Sequence, residues 1–214
     1  MSFFTKHKPQ TLDDMVFADQ QVERVVKETA NLKRNKHLIL HGPRGSGKSE
    51  TARLILEARI GADNVDGFSD PIHAKTYQFN DFDPILRTWS WQMSMGAEMG
   101  CVIIDEVDQL SSSMQEKLRA FVDMHSTGII IATTNNLHRV DSPFLDRCRC
   151  LNVFYPAAEQ WVKRAKEVLA TENLDLSDEQ VAQLLYGFQG SGRNLMDWLE
   201  DTVLSIAAVT ERLG

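Results

Sequence analysis

The 214-residue sequence is poor in cysteine and in long apolar runs, and each shortage excludes a class of protein. Its three cysteines, Cys101, Cys148 and Cys150, are an odd set without a CxxC pair, which argues against a disulfide framework and a four-ligand zinc site. No apolar run reaches the ~18 residues that a membrane span needs, and the N-terminal residues lack the apolar core of a secretory signal. These absences predict a soluble, cytoplasmic protein without a membrane partner.

Positive charge is also in short supply. The chain has 23 Lys and Arg against 30 Asp and Glu, a formal net charge of −7. Because affinity for a phosphate backbone comes from clustered Lys and Arg, any contact with DNA has to be local or shared between chains. The 43% hydrophobic and 25% charged residues are ordinary for a globular protein, so the chain is expected to fold.

Short apolar segments alternate with helical periodicity in the first part of the chain. Strands are predicted at residues 38–40, 77–79, 101–104, 129–132 and 151–154, and helices at 19–36, 50–59, 84–95 and 113–124. Continuous apolar strands between helices are typical of parallel sheets that helices cover on both faces. The pattern therefore predicts an α/β core with a five-stranded parallel sheet.

After Pro156 the strand pattern ends and three helices are predicted, at residues 157–170, 177–188 and 193–213. Ser177 stands three residues before Gln180, the spacing of a capping box at a helix start. The sequence thus predicts two domains, an α/β nucleotide-binding domain over residues 1–155 and a small three-helix lid over residues 156–214.

A glycine-rich octet carries the strongest chemical signal. Residues 42–49 match the pattern GxxxxGK[ST] and lie between a predicted strand and a predicted helix, the context that this phosphate-binding loop requires. Its glycines let backbone N–H groups surround phosphates, Lys48 reaches the β and γ phosphates, and the Ser49 hydroxyl ligates Mg²⁺. The alternative is an ordinary glycine-rich turn. The predicted ATP-binding residues are Gly42, Pro43, Arg44, Gly45, Ser46, Gly47, Lys48, Ser49 and Glu50.

Two carboxylates follow the apolar run 101–104. Asp105 falls at the carboxyl end of the predicted strand, where it can hold Mg²⁺ together with Ser49, and Glu106 can polarise the attacking water. Acidic residues at a strand end often only face solvent. Together with the glycine-rich loop, however, the pair predicts a Walker B site.

Further segments resemble AAA+ ATPases, and among them the small subunits of sliding-clamp loaders of the replication factor C type. Residues 7–16 are similar to the N-terminal box of that family, residues 79–81 to its Leu-Asn-Ala-Ser-Asp strand end, and residues 146–148 to its Ser-Arg-Cys signature with Asp in place of Ser. Gln115, Leu118 and Arg119 match the helix after Walker B, and residues 192–194 resemble the start of the sensor 2 helix.

The resemblance implies roles for three more residues. Asn135, or the neighbouring Asn136, would be the sensor 1 residue that bonds the water or the γ phosphate. Arg147 would be an arginine finger that reaches the nucleotide of a neighbouring subunit, and Arg193 would contact phosphate in its own subunit. Glu106, Asn135 and Arg147 are thus the expected catalytic residues. Because a finger is worth roughly 10³–10⁵ in rate, an isolated chain should hydrolyse ATP slowly.

The same resemblance implies partners. These are other AAA+ subunits in a nucleotide-dependent homo- or hetero-oligomer, a sliding clamp, and primer-template DNA once the assembly has formed. The similarity runs from about residue 4 to the end and does not include the helical collar of clamp-loader subunits, which argues against a stable pentamer. Arg44 stands where many relatives have a small residue or Pro, but not at a glycine position, so the phosphate loop should be intact.

Two other functions are compatible with these motifs. A nucleotide-binding scaffold would keep Lys48 and its loop without hydrolysing ATP. A helicase-loader or transposition-type AAA+ regulator would share the core but not the N-terminal box. The Trp- and Met-rich helix that contains Trp89 is expected to pack in the core rather than to stack on bases.

Overall fold

Four of the five predicted strand segments lie in one parallel sheet in the computed structural model, which describes residues 2–61, 70–78 and 80–213. The strands are β1 (His37–His41), β2 (Ile72–His73), β3 (Gly100–Asp105), β4 (Gly128–Thr134) and β5 (Cys148–Asn152). Their order across the sheet is β2-β3-β4-β1-β5, and every pairing is parallel. The predicted α/β core with a five-stranded parallel sheet is confirmed.

Helices separate the strands and follow the last of them. They are α1 (Phe3–Lys6), α2 (Gln20–Ala30), α3 (Lys48–Ile60), α4 (Asp83–Ser94), α5 (Ser112–Met124), α6 (Ser142–Arg147), α7 (Ala158–Thr171), α8 (Asp178–Leu184) and α9 (Gly192–Leu213). The predicted capping box is present at α8, where Ser177 accepts the Gln180 N–H and Gln180 accepts the Ser177 N–H.

The register of the sheet brings the ends of its central strands to one edge. Leu38 is level with Ile131, and Ile103 is level with the same residue on the other side of β4. Every residue of β4 is buried, as expected for a strand between two neighbours that is covered on both faces. Because all strands are parallel, the residues after β1, β3 and β4 meet at their common carboxyl edge, where ligands bind in open α/β sheets.

The strand predicted at residues 77–79 is wrong for the residues described. Tyr77 and Gln78 are not in a strand, and Phe79 lies outside the described residues. The Tyr77 ring stacks on Phe82 with the ring centres 5.2 Å apart, and its hydroxyl donates to the Asp81 carbonyl, so the aromatic side chain closes a local loop. The edge strand is instead β2, two residues long, which pairs with the end of β3.

The first long helix also stops earlier than its apolar spacing predicts. Leu32 adopts φ 59°, and the Lys33 N–H bonds back to the Glu28 carbonyl at 2.9 Å. A left-handed residue followed by this backward bond is the usual way in which a helix end satisfies its free carbonyls. The basic segment after α2 therefore leads into β1 as a loop.

Two glycines at the start of β3 and β4 make room for one aromatic side chain. A Cβ atom on Gly100 would lie 2.3 Å from the Trp89 ring, and a Cβ on Gly128 would also lie 2.3 Å from it. Trp89 is fully buried on α4, next to Phe121 at a ring distance of 5.5 Å. The expectation that Trp89 packs in the core is confirmed.

The chain divides into two units. One comprises Gln20–Pro43 and Lys48–Val153 and contains the sheet, and the other comprises Met1–Asp19, Arg44–Gly47 and Phe154–Gly214. The second unit has its own core, in which Trp161 and Leu169 of α7, Leu185, and Leu195 and Leu199 of α9 are buried together. Helices α7, α8 and α9 thus share a core that is separate from the core of the sheet. Within the described ranges, no helix is both long and apolar enough to cross a bilayer.

The N-terminal segment is held in this second unit by an ionic contact. Lys6 and His7 both bond to the Glu172 carboxylate, at 2.8 and 2.5 Å. Their hydrogen bonds lower the pKa of Glu172 below its ordinary value, so this carboxylate is ionised at neutral pH. The contact attaches the end of α1 to the residue that follows α7.

Candidate functional site

The loop between β1 and α3 has a backbone that only glycine adopts readily. Gly42, Gly45 and Gly47 have φ of 147°, 78° and 94°, in the left-handed region that side chains avoid. Space is restricted as well, since a Cβ on Gly42 would lie 2.2 Å from the Val153 carbonyl oxygen and one on Gly45 would lie 2.8 Å from the Ser191 Cβ. The glycines of the predicted phosphate loop are therefore required by its geometry.

Lys48 begins α3 and is only 7% exposed. Its ammonium group donates to the carbonyls of Gly42 and Pro43, at 3.0 and 2.7 Å, which holds the charge over the start of the loop. Burial and the neighbouring Lys48 charge lower the pKa of His41, so this histidine is neutral at pH 7. Lys48 is thus a buried positive charge beside backbone that curves around it.

Ser46 adds an unsatisfied group to the loop. Its hydroxyl is buried and has no hydrogen-bond partner in the described part of the chain. Buried polar groups are almost always paired, so an orphan hydroxyl in a glycine-rich loop fits a bound anion as its missing partner. Of the other loop residues, Arg44 has an exposed side chain and accepts the Tyr155 hydroxyl on its carbonyl, while Glu50 pairs with Arg53 on the surface of α3.

Asp105, the last residue of β3, joins the loop helix to the sheet edge. Its Oδ1 accepts the Ser49 hydroxyl at 3.1 Å and the Thr133 hydroxyl at 2.5 Å, and its Oδ2 lies 3.7 Å from His73 Nδ1. Ser49 and Asp105 are 56 positions apart in the sequence, and the fold brings them into contact.

The oxygen pair of Ser49 and Asp105 fits Mg²⁺. Two oxygens that occupy adjacent positions of an Mg²⁺ octahedron, each about 2.0–2.1 Å from the ion, lie about 2.9 Å apart, close to the 3.1 Å observed here. In the described residues, no group of three or more His, Cys, Asp or Glu could hold a metal. Mg²⁺ in nucleotide sites is usually bound by one or two protein oxygens together with phosphates of the nucleotide.

Glu106 has an unusual backbone. Its φ of 55° and ψ of 48° are left-handed, and its N–H donates to the Thr133 hydroxyl at 3.1 Å. A non-glycine residue in this region costs about 1–2 kcal/mol, and such strain is concentrated at functional sites. The Thr133 hydroxyl therefore bonds to both acidic residues. It accepts the backbone N–H of Glu106 and donates to the carboxylate of Asp105.

Asn135 and Asn136 follow β4 directly, and both side chains are exposed. The Asn136 N–H donates to the Thr134 hydroxyl at 2.9 Å, and that hydroxyl donates to Asp108 at 2.6 Å. The turn that carries the two amides is therefore fixed, and it lies at the same sheet edge as Asp105. Among the described residues, neither side-chain amide makes a hydrogen bond that would distinguish it as the sensor.

Arg193 lies in the first turn of α9, and its side chain is exposed. Ser191 caps this helix, because its hydroxyl accepts the Asn194 N–H at 3.1 Å. The guanidinium lies over the Phe4 ring, 5.8 Å from the ring centre. Since Ser191 also touches Gly45, the fold places Arg193 two residues from a contact with the phosphate loop.

Arg147 ends α6 and is bound to a different neighbour. Its Nε and Nη2 donate to the two carboxylate oxygens of Asp123 on α5, at 2.6 and 2.7 Å, and its Nη1 donates to the Pro143 carbonyl at 2.6 Å. Its side chain is 34% exposed. The structure thus gathers Ser49, Asp105 and Glu106 around Thr133, whereas Arg147 bonds within the α5–α6 pair.

Sequence reasoning missed Thr133 and Asp123. The signal for Thr133 was two hydroxyl residues at the carboxyl end of a predicted strand next to the acidic strand end. Nothing in the sequence pointed to Asp123, because an acidic residue on an amphipathic helix is usually solvated and its partner is 24 residues away.

A family model decides what this geometry belongs to. The model described as "ATPase family associated with various cellular activities (AAA)" matches residues 38–155, more than half of the chain and all of the sheet except the first residue of β1. The chain belongs to the AAA family. Nucleotide binding is therefore the expected property of the phosphate loop, as the sequence predicted.

This AAA protein is similar to replication factor C subunits. It is 26% identical over 206 residues to a replication factor C small subunit of Archaeoglobus fulgidus, covering 91% of this chain and 61% of that one. It is 24% identical to replication factor C subunit 5 of Homo sapiens, covering 96% of this chain and 61% of that one. The chain spans less than two thirds of the length of these curated relatives.

Solved structures agree with the fold. The RuvB Holliday junction branch migration motor of Thermotoga maritima superposes with a TM-score of 0.69 at 15% identity, covering 98% of this chain and 68% of that one. At this identity the likeness concerns the fold alone.

Proposed function

We propose that this AAA protein binds Mg·ATP on residues 42–49 and hydrolyses it as a clamp-loader-like subunit. The observation that carries the proposal is the hydrogen bond between Ser49 and Asp105, two side-chain oxygens beside the glycine-rich loop that would suit a magnesium ion. A buried lysine and an orphan hydroxyl in the same loop support the nucleotide assignment.

The proposed binding mode follows from the charges. Backbone N–H groups of the glycine-rich loop and the start of α3 face the phosphates, and Lys48 neutralises the β and γ oxygens. A phosphate oxygen accepts the Ser46 hydroxyl, which has no hydrogen-bond partner among the described residues. Arg193 contacts phosphate from the start of α9, which the touching residues Gly45 and Ser191 support.

Hydrolysis uses the carboxylates at the sheet edge. Ser49 and Asp105 would hold Mg²⁺, which when bound supplies charge neutralisation at the phosphate oxygens. Glu106 orients a water and accepts its proton as the water oxygen attacks the γ phosphorus and the bond to the β–γ bridging oxygen breaks. Asn135 or Asn136 bonds the water or the γ phosphate, and ADP and inorganic phosphate leave.

Arg147 completes the site of a neighbouring subunit in this proposal. It is partly exposed, and it does not bond to the groups around Asp105. Similarity to replication factor C subunits supports other AAA+ subunits as partners, with a sliding clamp and primer-template DNA as clients of the assembly. Assembly is then nucleotide-dependent, because the γ phosphate of one chain is a ligand of the next.

Binding of a fluorescent ATP analogue with and without Mg²⁺ tests the nucleotide part. We expect Lys48→Ala to remove binding, whereas Glu106→Gln keeps binding and lowers hydrolysis by at least about 10²-fold. Arg87→Ala, in a helix outside the loop, is a surface control. No Mg²⁺-dependent ATP affinity would refute the proposal, and a Glu106→Gln variant that matches wild type in every ATP-dependent assay would favour the scaffold.

Particle size and DNA binding test the clamp-loader part. With a non-hydrolysable ATP analogue, the chain alone or with candidate AAA+ subunits should form a larger particle that binds primer-template DNA. Equal DNA affinity with and without nucleotide would refute nucleotide-dependent assembly. Capture of a replicative helicase in place of a sliding clamp would favour the helicase-loader alternative.

A further inference from the structure

The guanidinium of Arg147 is held by three hydrogen bonds and still has N–H groups to offer a ligand. It has five N–H donors in a fixed plane. The Nε and Nη2 edge is bonded side-on to Asp123, and Nη1 bonds to the Pro143 carbonyl. Among the described residues, these three bonds use three of the five N–H groups and leave one on each terminal nitrogen. Arginine N–H groups of this kind donate to phosphate oxygens.

We infer that Asp123 is the positioning residue that aims Arg147 at the nucleotide of a neighbouring chain. The inference rests on the proposed function, in which Arg147 acts across an interface. A free arginine side chain samples many rotamers, and ordering it on binding costs free energy. Asp123 removes this freedom in advance, since a side-on carboxylate fixes both the direction and the plane of the guanidinium.

The support under Arg147 is itself fixed. Gln115 on α5 is buried, and it accepts the N–H of Asp141, the residue before α6, at 2.6 Å while donating to the Arg139 carbonyl at 3.1 Å. The first turn of α5 is thus bonded to the start of α6 through Gln115, and the last turn of α5 is bonded to the end of α6 through Asp123. The hydrogen bond from Arg147 also lowers the pKa of Asp123, so the carboxylate keeps its charge at neutral pH.

The chemistry of the pair makes aspartate hard to replace. Both oxygens of Asp123 accept a bond from Arg147. An asparagine has one acceptor oxygen and a donor NH₂, so it would oppose one guanidinium N–H with N–H of its own. Asp123→Asn therefore loses the side-on bond while it keeps the size of the side chain.

A two-chain mixture tests the role in trans. The donor chain carries Lys48→Ala and keeps Arg147, and the acceptor chain carries Arg147→Ala and keeps its phosphate loop. Only donor–acceptor interfaces then contain a complete site. We expect Asp123→Asn in the donor to lower the ATPase rate of the mixture by about 10–10²-fold, the usual effect of a misplaced group. The same change in the acceptor should have little effect, because that chain has no Arg147 to position.

Asp146→Asn in the donor is the matched control. It removes the same charge beside Arg147, where Asp146 acts through its charge, without removing a hydrogen bond to the guanidinium. Equal losses for Asp123→Asn in donor and acceptor, or for Asp123→Asn and Asp146→Asn, would overturn the positioning role. A mixture that is inactive even with Asp123 intact would refute the shared site itself, which is the proposed function.

A spectroscopic readout is independent of assembly. In the isolated chain, the Nε–H proton of Arg147 should exchange slowly with water and give a ¹H–¹⁵N signal. In the Asp123→Asn variant this proton should exchange quickly, and the signal should be lost. The Asp123→Glu variant, which keeps two acceptor oxygens, should recover part of the signal and part of the donor activity. An Arg147 signal that is the same in wild type and Asp123→Asn would overturn the inference even if the mixture is active.

Discussion

Replacing Thr133 with valine should damage the site through the loss of two hydrogen bonds. The Thr133 hydroxyl donates to Asp105 and accepts the Glu106 N–H, and its side chain is 2% exposed. Valine keeps the shape of the side chain and removes both bonds. Asp105 then loses the group that orients it, and the left-handed Glu106 loses the bond that holds its backbone.

The size of the loss can be estimated from these two contacts. A hydrogen bond to an ionised group contributes about 1.5–3 kcal/mol, and a buried N–H left unpaired costs about 1–3 kcal/mol. Asp105 is 20% exposed, so water replaces part of both interactions. We expect Thr133→Val to lower the free energy of unfolding by about 2–4 kcal/mol, or the melting temperature by about 4–16 °C for a chain of this length.

The functional readout is the Mg²⁺ dependence of ATP-analogue binding. Removing a partner that orients a metal ligand typically costs about 10–100-fold in metal affinity, so the Mg²⁺ concentration at half-saturation should rise about tenfold or more. Thr134→Val is the matched control, because the Thr134 hydroxyl also donates to a carboxylate and accepts an N–H, but at Asp108 and Asn136. Equal Mg²⁺ dependence in the two variants would refute the role given to Thr133.

Two further predictions concern the loop and the N-terminal segment. Gly42→Ala should unfold the chain or make it insoluble, since its Cβ would lie 2.2 Å from a carbonyl oxygen, whereas Gly96→Ala, with φ 102° and open space around it, should cost only about 1–2 kcal/mol in a denaturant titration. The Glu172 pKa is lowered in the fold by Lys6 and His7, so its contribution is present above the ordinary glutamate pKa and is lost as the pH falls through the lower, folded-state value. The protection factors of the α1 amides, which correct for the intrinsic pH dependence of hydrogen exchange, should therefore fall on acidification below about pH 4, and Glu172→Gln should show low protection already at pH 7; protection factors in wild type that do not change with pH would contradict this.

The sequence was sufficient wherever a local pattern determines the structure. The apolar runs 101–104 and 129–132 form β3 and β4, and these residues are buried on both faces of the sheet. A continuous apolar run was therefore enough to predict each of them as a central strand. The glycine-rich loop was predictable because its backbone admits only glycine at three positions. Each of these features is decided by neighbours in the chain.

Contacts between distant segments could not be predicted in the same way. β2 is two residues long and pairs with the end of β3, and Tyr77, in the segment predicted as a strand, bonds to the Asp81 carbonyl instead. The Thr133 contact with Asp105 spans 28 residues and the Asp123 contact with Arg147 spans 24. Only the folded chain brings such polar partners together.

The indole that fills the space above the first residues of β3 and β4 has a consequence for variation in this protein. The side-chain sizes at positions 89, 100 and 128 depend on one another, because Trp89 fits only while both facing residues lack a side chain. Alanine at either glycine should be rejected. A smaller residue at 89 would not make room, because the Cβ of residue 89 would lie 2.5 Å from a Cβ at position 100 and the Gly100 carbonyl oxygen would lie 2.8 Å from a Cβ at position 128. Natural variants are thus expected to keep glycine at positions 100 and 128.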